Sequence, residues 1–197
     1  MTAYLVGFGT GLSLIVAIGA QNAFVLKQGL MRQHVLAVCL FCALSDSVLI
    51  ALGVSGMAVA GARATWLIEA LRWGGVAFLL AYGARAFRAA WAGGAALRPE
   101  GRAAGLAVTL ASIAALTWLN PHVWLDTVVL LGAISAQWPN RTGFATGAIS
   151  ASFLFFFALG YGARLLVPVF AKPRAWQILD VAIGCIMWAI AAKLVIG

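Results

Sequence analysis

Negative charge is scarce in this chain: among 197 residues only five are Asp or Glu. Charged residues of both signs reach 9%, where a soluble domain carries about 25%. So few cannot clothe a globule in water, and a soluble enzyme is excluded. Long polar tracts are missing too. The longest polar interval, about 88–103, is only a loop, so no segment can fold by itself in water as a catalytic or sensory domain. Histidine is limited to two residues, and His34 and His122 lack the clustering of a metal site. Phosphate-binding loops, nucleophile elbows and dinucleotide fingerprints are all absent, which argues against ATP-driven transport by this chain and leaves no cofactor to expect.

What is present is apolar. Hydrophobic residues make up 64% of the chain and mean hydropathy is +1.02, which excludes disorder and indicates an integral membrane protein. Crossing about 30 Å of hydrocarbon takes roughly 20 apolar residues in a helix. Runs at about 3–26, 35–57, 66–87, 104–120, 143–168 and 176–196 qualify. Val123–Ala136 is apolar as well, but it follows Asn120-Pro121 so closely that it reads as the other half of a broken helix. The expected fold is all-α, a single transmembrane domain over 1–197 with about six crossings, or five or seven if a broken segment is re-entrant.

The net charge of +8 would suit a nucleic-acid binder if it formed one patch. Instead the cations fall between apolar runs. Lys27 and Arg32 lie in the first loop, Arg85, Arg88, Arg98 and Arg102 in the third, and Arg164, Lys172 and Arg174 in the fifth. Only Arg63, Arg141 and Lys193 lie on the other side. That asymmetry places the basic loops, including 88–103, in the cytoplasm and both termini outside, the C-terminus in the periplasm. Five crossings would instead put the N-terminus inside. Ala17-Ile18-Gly19 offers a small-residue cleavage site, but no basic residue precedes Lys27 and apolar sequence continues through Phe24-Val25-Leu26, so a cleaved signal peptide is not expected.

The two halves resemble each other. Ala43-Leu44-Ser45-Asp46-Ser47-Val48-Leu49 recurs as Ala148-Ile149-Ser150-Ala151-Ser152-Phe153-Leu154. Upstream of each lies a helix breaker with amide side chains, Gly19-Ala20-Gln21-Asn22 and then Asn120-Pro121-His122. Repeats over about 1–90 and 104–197 with three crossings each must be inserted upside down relative to each other. Inverted repeats with broken helices at matching positions mark secondary transporters. Chance recurrence of Ala, Ser and Leu in an apolar chain is the alternative.

Asp46 lies deep in the second run, and Asp126 lies five residues after Pro121. An ionised carboxylate at mid-membrane costs about 2.5–3.5 kcal/mol even on the lenient insertion scale. Such residues should face a bundle interior or a water-filled cavity and bind a cation, carry a proton, or do both in turn. A structural pairing with Arg72 or Arg85 is the alternative. Asp180 and Glu69 are weaker candidates, near helix ends where a solvated head group suffices, and Glu69 and Arg72 have the spacing to pair with each other. Gln21, Asn22 and Asn120 sit at the breaks, where freed N–H groups suit a carboxylate and freed carbonyls or amides suit an ammonium. Together these groups suit an amino acid, and the two acids suit a cationic one. Capping of the kinks is the plainer role for the amides. Cys39 and Cys42 form a C-x-x-C that a membrane thiol-redox carrier could use, although buried thiols at this spacing are ordinary packing residues. Gly7, Gly9, Gly11 and Gly19 along the first run and Gly53 and Gly56 on the second suit close helix packing.

Gly19-Ala20-Gln21-Asn22-Ala23-Phe24-Val25-Leu26, Gln28-Gly29 and Cys42-Ala43-Leu44-Ser45-Asp46 resemble the opening of the LysE family of amino-acid exporters. Thr117-Trp118-Leu119-Asn120-Pro121-His122-Val123-Trp124-Leu125-Asp126-Thr127 resembles that family's second signature. The likeness continues through Gly147–Phe153 and Gly184–Trp188 and so spans essentially the whole chain, and it is strongest to the lysine/arginine branch. It implies a secondary exporter of basic L-amino acids (arginine, lysine) in a bacterial inner membrane, working by proton antiport and alternating access. Asp46, Asp126, Gln21, Asn22 and Asn120 would be its substrate and coupling residues, and Gly19, Ala20 and Pro121 its hinges. The homoserine/threonine exporters are the alternative branch. Ala20 stands where the family pattern has Pro, so the first helix is expected to break less sharply. Amino acid, protons and lipid are the expected partners, nucleic acid is not, and a small chain around a polar cavity is compatible with a homodimer.

Overall fold

The structure is a computed structural model that describes residues 1–16, 19–56, 65–91 and 104–196; the side chains of residues 65–68, 70, 71, 121, 122 and 171 lie outside that description. The expected loop residues Arg63, Arg98, Glu100 and Arg102 and the pair Ala17-Ile18 also lie outside the described residues.

Backbone groups in hydrocarbon must be satisfied within their own segment, which favours helices, and among the described residues every regular element is helical. In chain order they are α1 (Thr2–Ile15), α2 (Ala20–Met31), α3 (Val35–Val54), α4 (Thr65–Trp91), α5 (Leu106–Trp118) and the short α6 (Pro121–Trp124). A π-helical segment (Leu125–Leu130) runs into α7 (Leu131–Ser135), followed by α8 (Arg141–Gly162), two 3₁₀ turns (Ala163–Leu166 and Val169–Ala171) and α9 (Pro173–Ile196). Local sequence explains several boundaries. Asn140 caps α8 by accepting a bond from the Gly143 N–H at 2.8 Å, and Pro173 opens α9, where its missing N–H costs nothing.

The helix surfaces fit a lipid solvent. On α3, Val38, Cys42 and Leu49 are buried while Leu36, Leu44 and Val48 are exposed. An element apolar on every face belongs in a membrane or a large core. Among the described residues three helical stretches are long and apolar enough to cross a bilayer, Val35–Val54, Arg141–Leu166 and Pro173–Ile196, and α1 with α2 makes a fourth if they cross as one broken span.

Small residues set the helix contacts. α1 lies along α8, and a Cβ on Gly7 would stand 2.0 Å from the Phe144 carbonyl oxygen, one on Gly147 2.1 Å from that of Tyr4. α3 meets the second broken helix just as closely: a Cβ on Gly132 would lie 2.7 Å from the Gly53 carbonyl oxygen. This is the backbone-on-backbone approach expected of membrane glycines. Gly9 has open space around it and takes no part in it. The main core gathers Val25, Val38, Cys39, Cys42, Ile113, Leu116, Phe156 and Met187.

Cross-contacts place the helix ends. The His34 ring meets the Ala104 carbonyl, Gln177 donates to the Ala90 carbonyl, and α2 packs on the 3₁₀ turn after α8. The α2–α3 turn, the end of α4, the start of α5, the end of α8 and the start of α9 therefore share one end of the bundle. Arg32, Arg85, Arg88, Arg164, Lys172 and Arg174 are exposed there. Lys27 is a correction to the loop expectation: α2 continues to Met31, so Lys27 lies inside a helix.

Candidate functional site

The first break falls between Ile15 and Ala20, and α1 and α2 are bent by 82°. The expectation of a gentler bend without proline is thus overturned. Gly19 adopts φ −121° and ψ 177°, the extended conformation that a residue before proline would have been forced into. An amide side chain then holds the kink, with Asn22 Nδ2 donating to the Ile15 carbonyl at 2.7 Å. Capping is therefore one role of Asn22. Gln21 and Asn22 lie in the first turn of α2 rather than in the break itself.

The second break falls where the breaker Asn120-Pro121 predicts it, with Asn120 buried between α5 and α6. Two tryptophans brace it. Trp124 Nε1 donates to the Trp118 carbonyl at 3.0 Å, and Trp118 Nε1 donates to Ser45 Oγ at 3.2 Å on α3. Beyond Pro121 the chain enters the π-helical segment that contains Asp126 and Thr127. Wide π turns recur at functional sites because the extra residue re-aims neighbouring side chains. Periodicity in the sequence gives no sign of it.

Between the two breaks lies a cavity of about 460 Å³. Its wall includes Gly19, Ala20, Gln21, Asn22, Asp46, Asn120 and Asp126, so the five polar residues expected to bind substrate or couple its transport line one space. Pro121 opens the helix beside it. The sequence reasoning missed Thr127 and Lys193, which share that wall. Lys193 reads as a tail residue in the sequence but sits inside α9, one turn after Ile190, which also lines the cavity.

Asp46 is 3% exposed and accepts a hydrogen bond from Ser152 Oγ on α8 at 2.8 Å. Its partner is a neutral hydroxyl, not Arg72 or Arg85. Arg72 has another use: its guanidinium donates to the Leu194 and Val195 carbonyls at the end of α9, where a cation offsets the helix dipole. Gln21 is buried too, and its Nε2 has no hydrogen-bond partner among the described residues.

Asp180 departs most from its expected place. Rather than a solvated head group, it is fully buried and forms an ion pair with Lys27 of α2. The pair joins α2 to α9 near the basic end, and Phe24 of α2 and Met187 of α9 belong to the main core together with Phe156, which also lines the cavity. The helix-end rule failed because Asp180 lies seven residues into α9, on the face turned toward α2. Cys39 and Cys42 occupy packing positions. Both are free and buried in the core, and Cys39 Sγ donates to the Phe156 carbonyl.

Comparison with known proteins extends this geometry. The family model described as LysE type translocator matches residues 12–197. The chain belongs to the LysE-type translocator family. It is 43% identical to the arginine exporter protein ArgO of Escherichia coli (strain K12), over 97% of this chain and 92% of the relative. Identity to the putative amino-acid transporter YggA of Aeromonas salmonicida is 44%, over 98% of this chain and 95% of that protein. ArgO of Salmonella typhimurium (strain LT2) is 44% identical over 97% of the chain and 92% of its own length. No solved structure matches. This member of the LysE-type family is a multi-pass membrane translocator rather than an enzyme, and the cavity between its broken helices is the candidate site of its cargo.

Proposed function

We propose that the chain is a secondary exporter of basic L-amino acids, arginine and lysine, across a bacterial inner membrane. The observation that carries this reading is the convergence of Asp46, Asp126, Gln21, Asn22 and Asn120 on one cavity at two helix breaks. The names of the arginine-exporting relatives point to the same cargo. Asp46 and Asp126 alternate between the substrate's positive charge and protons, while Gln21, Asn22 and Asn120 hold its α-groups. Gly19, Ala20 and Pro121 serve as hinges.

Six crossings in two inverted halves supply the motion. Matching α1 with α5, α2 with the π segment and α7, α3 with α8, and α4 with α9 carries several helix contacts onto one another. The α3–α8 and α4–α9 contacts map onto themselves, and α2–α8 maps onto the contact of α3 with the π segment and α7. That agreement supports repeats over about 1–90 and 104–197 that rock about the central site. With the basic end in the cytoplasm, both termini lie outside and the Lys27–Asp180 pair lies toward the inner side.

Energetics favour exchange for protons. Moving one positive charge out against an inside-negative potential costs about 2.3 kcal/mol per 100 mV. Returning one proton per substrate cancels that term. The test is efflux of labelled arginine from preloaded proteoliposomes, with lysine and threonine as competitors. Arginine efflux inhibited by lysine, driven by an imposed pH gradient at clamped voltage and abolished in Asp46→Asn, is the expected result. Threonine competing best would assign the chain to neutral cargo, and indifference to the pH gradient would remove the proton.

A further inference from the structure

A basic amino acid carries two positive charges, on its α-ammonium and its side chain, and one negative charge on its α-carboxylate. The cavity wall carries the reverse set: two carboxylates, Asp46 and Asp126, and one ammonium, Lys193. We infer that Lys193 is the specificity-determining partner of the substrate's α-carboxylate, an inference that rests on the proposed export of basic amino acids.

Three observations meet here. Lys193 lies on the cavity wall with both acids, although it is exposed and is the last charged residue in the sequence. It forms no ion pair among the described residues, whereas Lys27 is matched to Asp180 and Arg72 donates to the Leu194 and Val195 carbonyls. The same wall also carries the first turn of α2 and Gln21, whose buried Nε2 has no hydrogen-bond partner among the described residues. Ammonium, amide and helix N-terminus are all donors, so the wall offers groups that suit an anion, and the α-carboxylate is the only anionic group a basic amino acid has. A neutral amino acid would leave one carboxylate of the wall unmatched. A diamine or a decarboxylated arginine would leave the lysine facing a further cation.

The alternative is that Lys193 extends its ammonium to the membrane surface, as lysines near helix ends do. Binding separates the two. Purified full-length protein in lipid nanodiscs is titrated with arginine and with agmatine, which keeps the guanidinium and an ammonium but lacks the carboxylate. In the wild type arginine binds more tightly. Lys193→Gln is expected to weaken arginine by about tenfold or more, the size of a lost hydrogen bond to a charged group, while agmatine binds as before or more tightly. Lys193→Arg restores arginine binding, and melting temperatures of both variants stay at the wild-type value. Equal losses for arginine and agmatine, or no loss for either, would overturn the assignment. Wild-type protein that binds neither arginine nor lysine would instead overturn the proposed cargo, a result that no Lys193 variant is needed to read.

Discussion

Two buried carboxylates in this bundle meet opposite fates. Asp180 is sealed between α2 and α9 with an ammonium against it. Asp46, almost as deeply buried, has a neutral hydroxyl as its partner and a cavity beside it. A carboxylate already matched by a lysine has its charge requirement met by the protein. One held only by a serine remains able to accept an outside cation or proton. Burial alone does not separate a structural acid from a functional one in a membrane; the identity of the partner and the presence of adjoining space do.

The sharpest way to break the contrast is Asp180→Asn. Lys27, half-buried, would then lack its counter-ion, a loss below the about 3–5 kcal/mol of a fully buried pair, read as a drop in melting temperature in detergent. The double variant Asp180→Asn with Lys27→Gln should recover most of that loss, because an amide pair needs no charge balance. Asp46→Asn should behave in the reverse manner. The amide can still accept from Ser152, so the melting temperature holds, while arginine efflux is abolished. If Asp46→Asn melted early and transported normally, the two carboxylates would have to exchange roles.

Ser152→Ala makes a finer test. It removes one donor from Asp46, which costs about 1 kcal/mol and should weaken apparent arginine affinity several-fold in the efflux assay, with maximal rate little changed. Ala20→Pro is expected to do least. Ala20 is the first residue of α2, and Gly19 before it is already extended, so the substitution should alter melting temperature by no more than about 1 kcal/mol allows. A large loss of stability there would mean that the break depends on the alanine's packing rather than on backbone geometry.

Much of the site was legible beforehand because polar groups in lipid are expensive. Asp46 and Asp126 stand out against apolar runs, and Asn120-Pro121 breaks a helix wherever it occurs. The same logic failed for Asp180, because distance from a helix end along the sequence does not say which face of the helix a neighbour covers. It failed for Lys27 because α2 persists one turn past the apolar run, ending only where Arg32 turns left-handed at φ 53°. The π-helical segment around Asp126 was invisible because one extra residue in a turn leaves no trace in hydropathy.

By itself, then, the sequence determined the solvent, the helical class, the positions of the two breaks and the rare polar groups placed near them, since each of these follows from the cost of charge or of an unpaired backbone group in hydrocarbon. Which of those groups face a common space was decided only by tertiary structure. Helix–helix contacts made through Gly7, Gly53, Gly132 and Gly147, together with Gly29 on α2 and Gly83 and Gly184 between α4 and α9, set the rotation of each helix about its axis, and that rotation sends Asp46 and Lys193 to the cavity and Asp180 to Lys27.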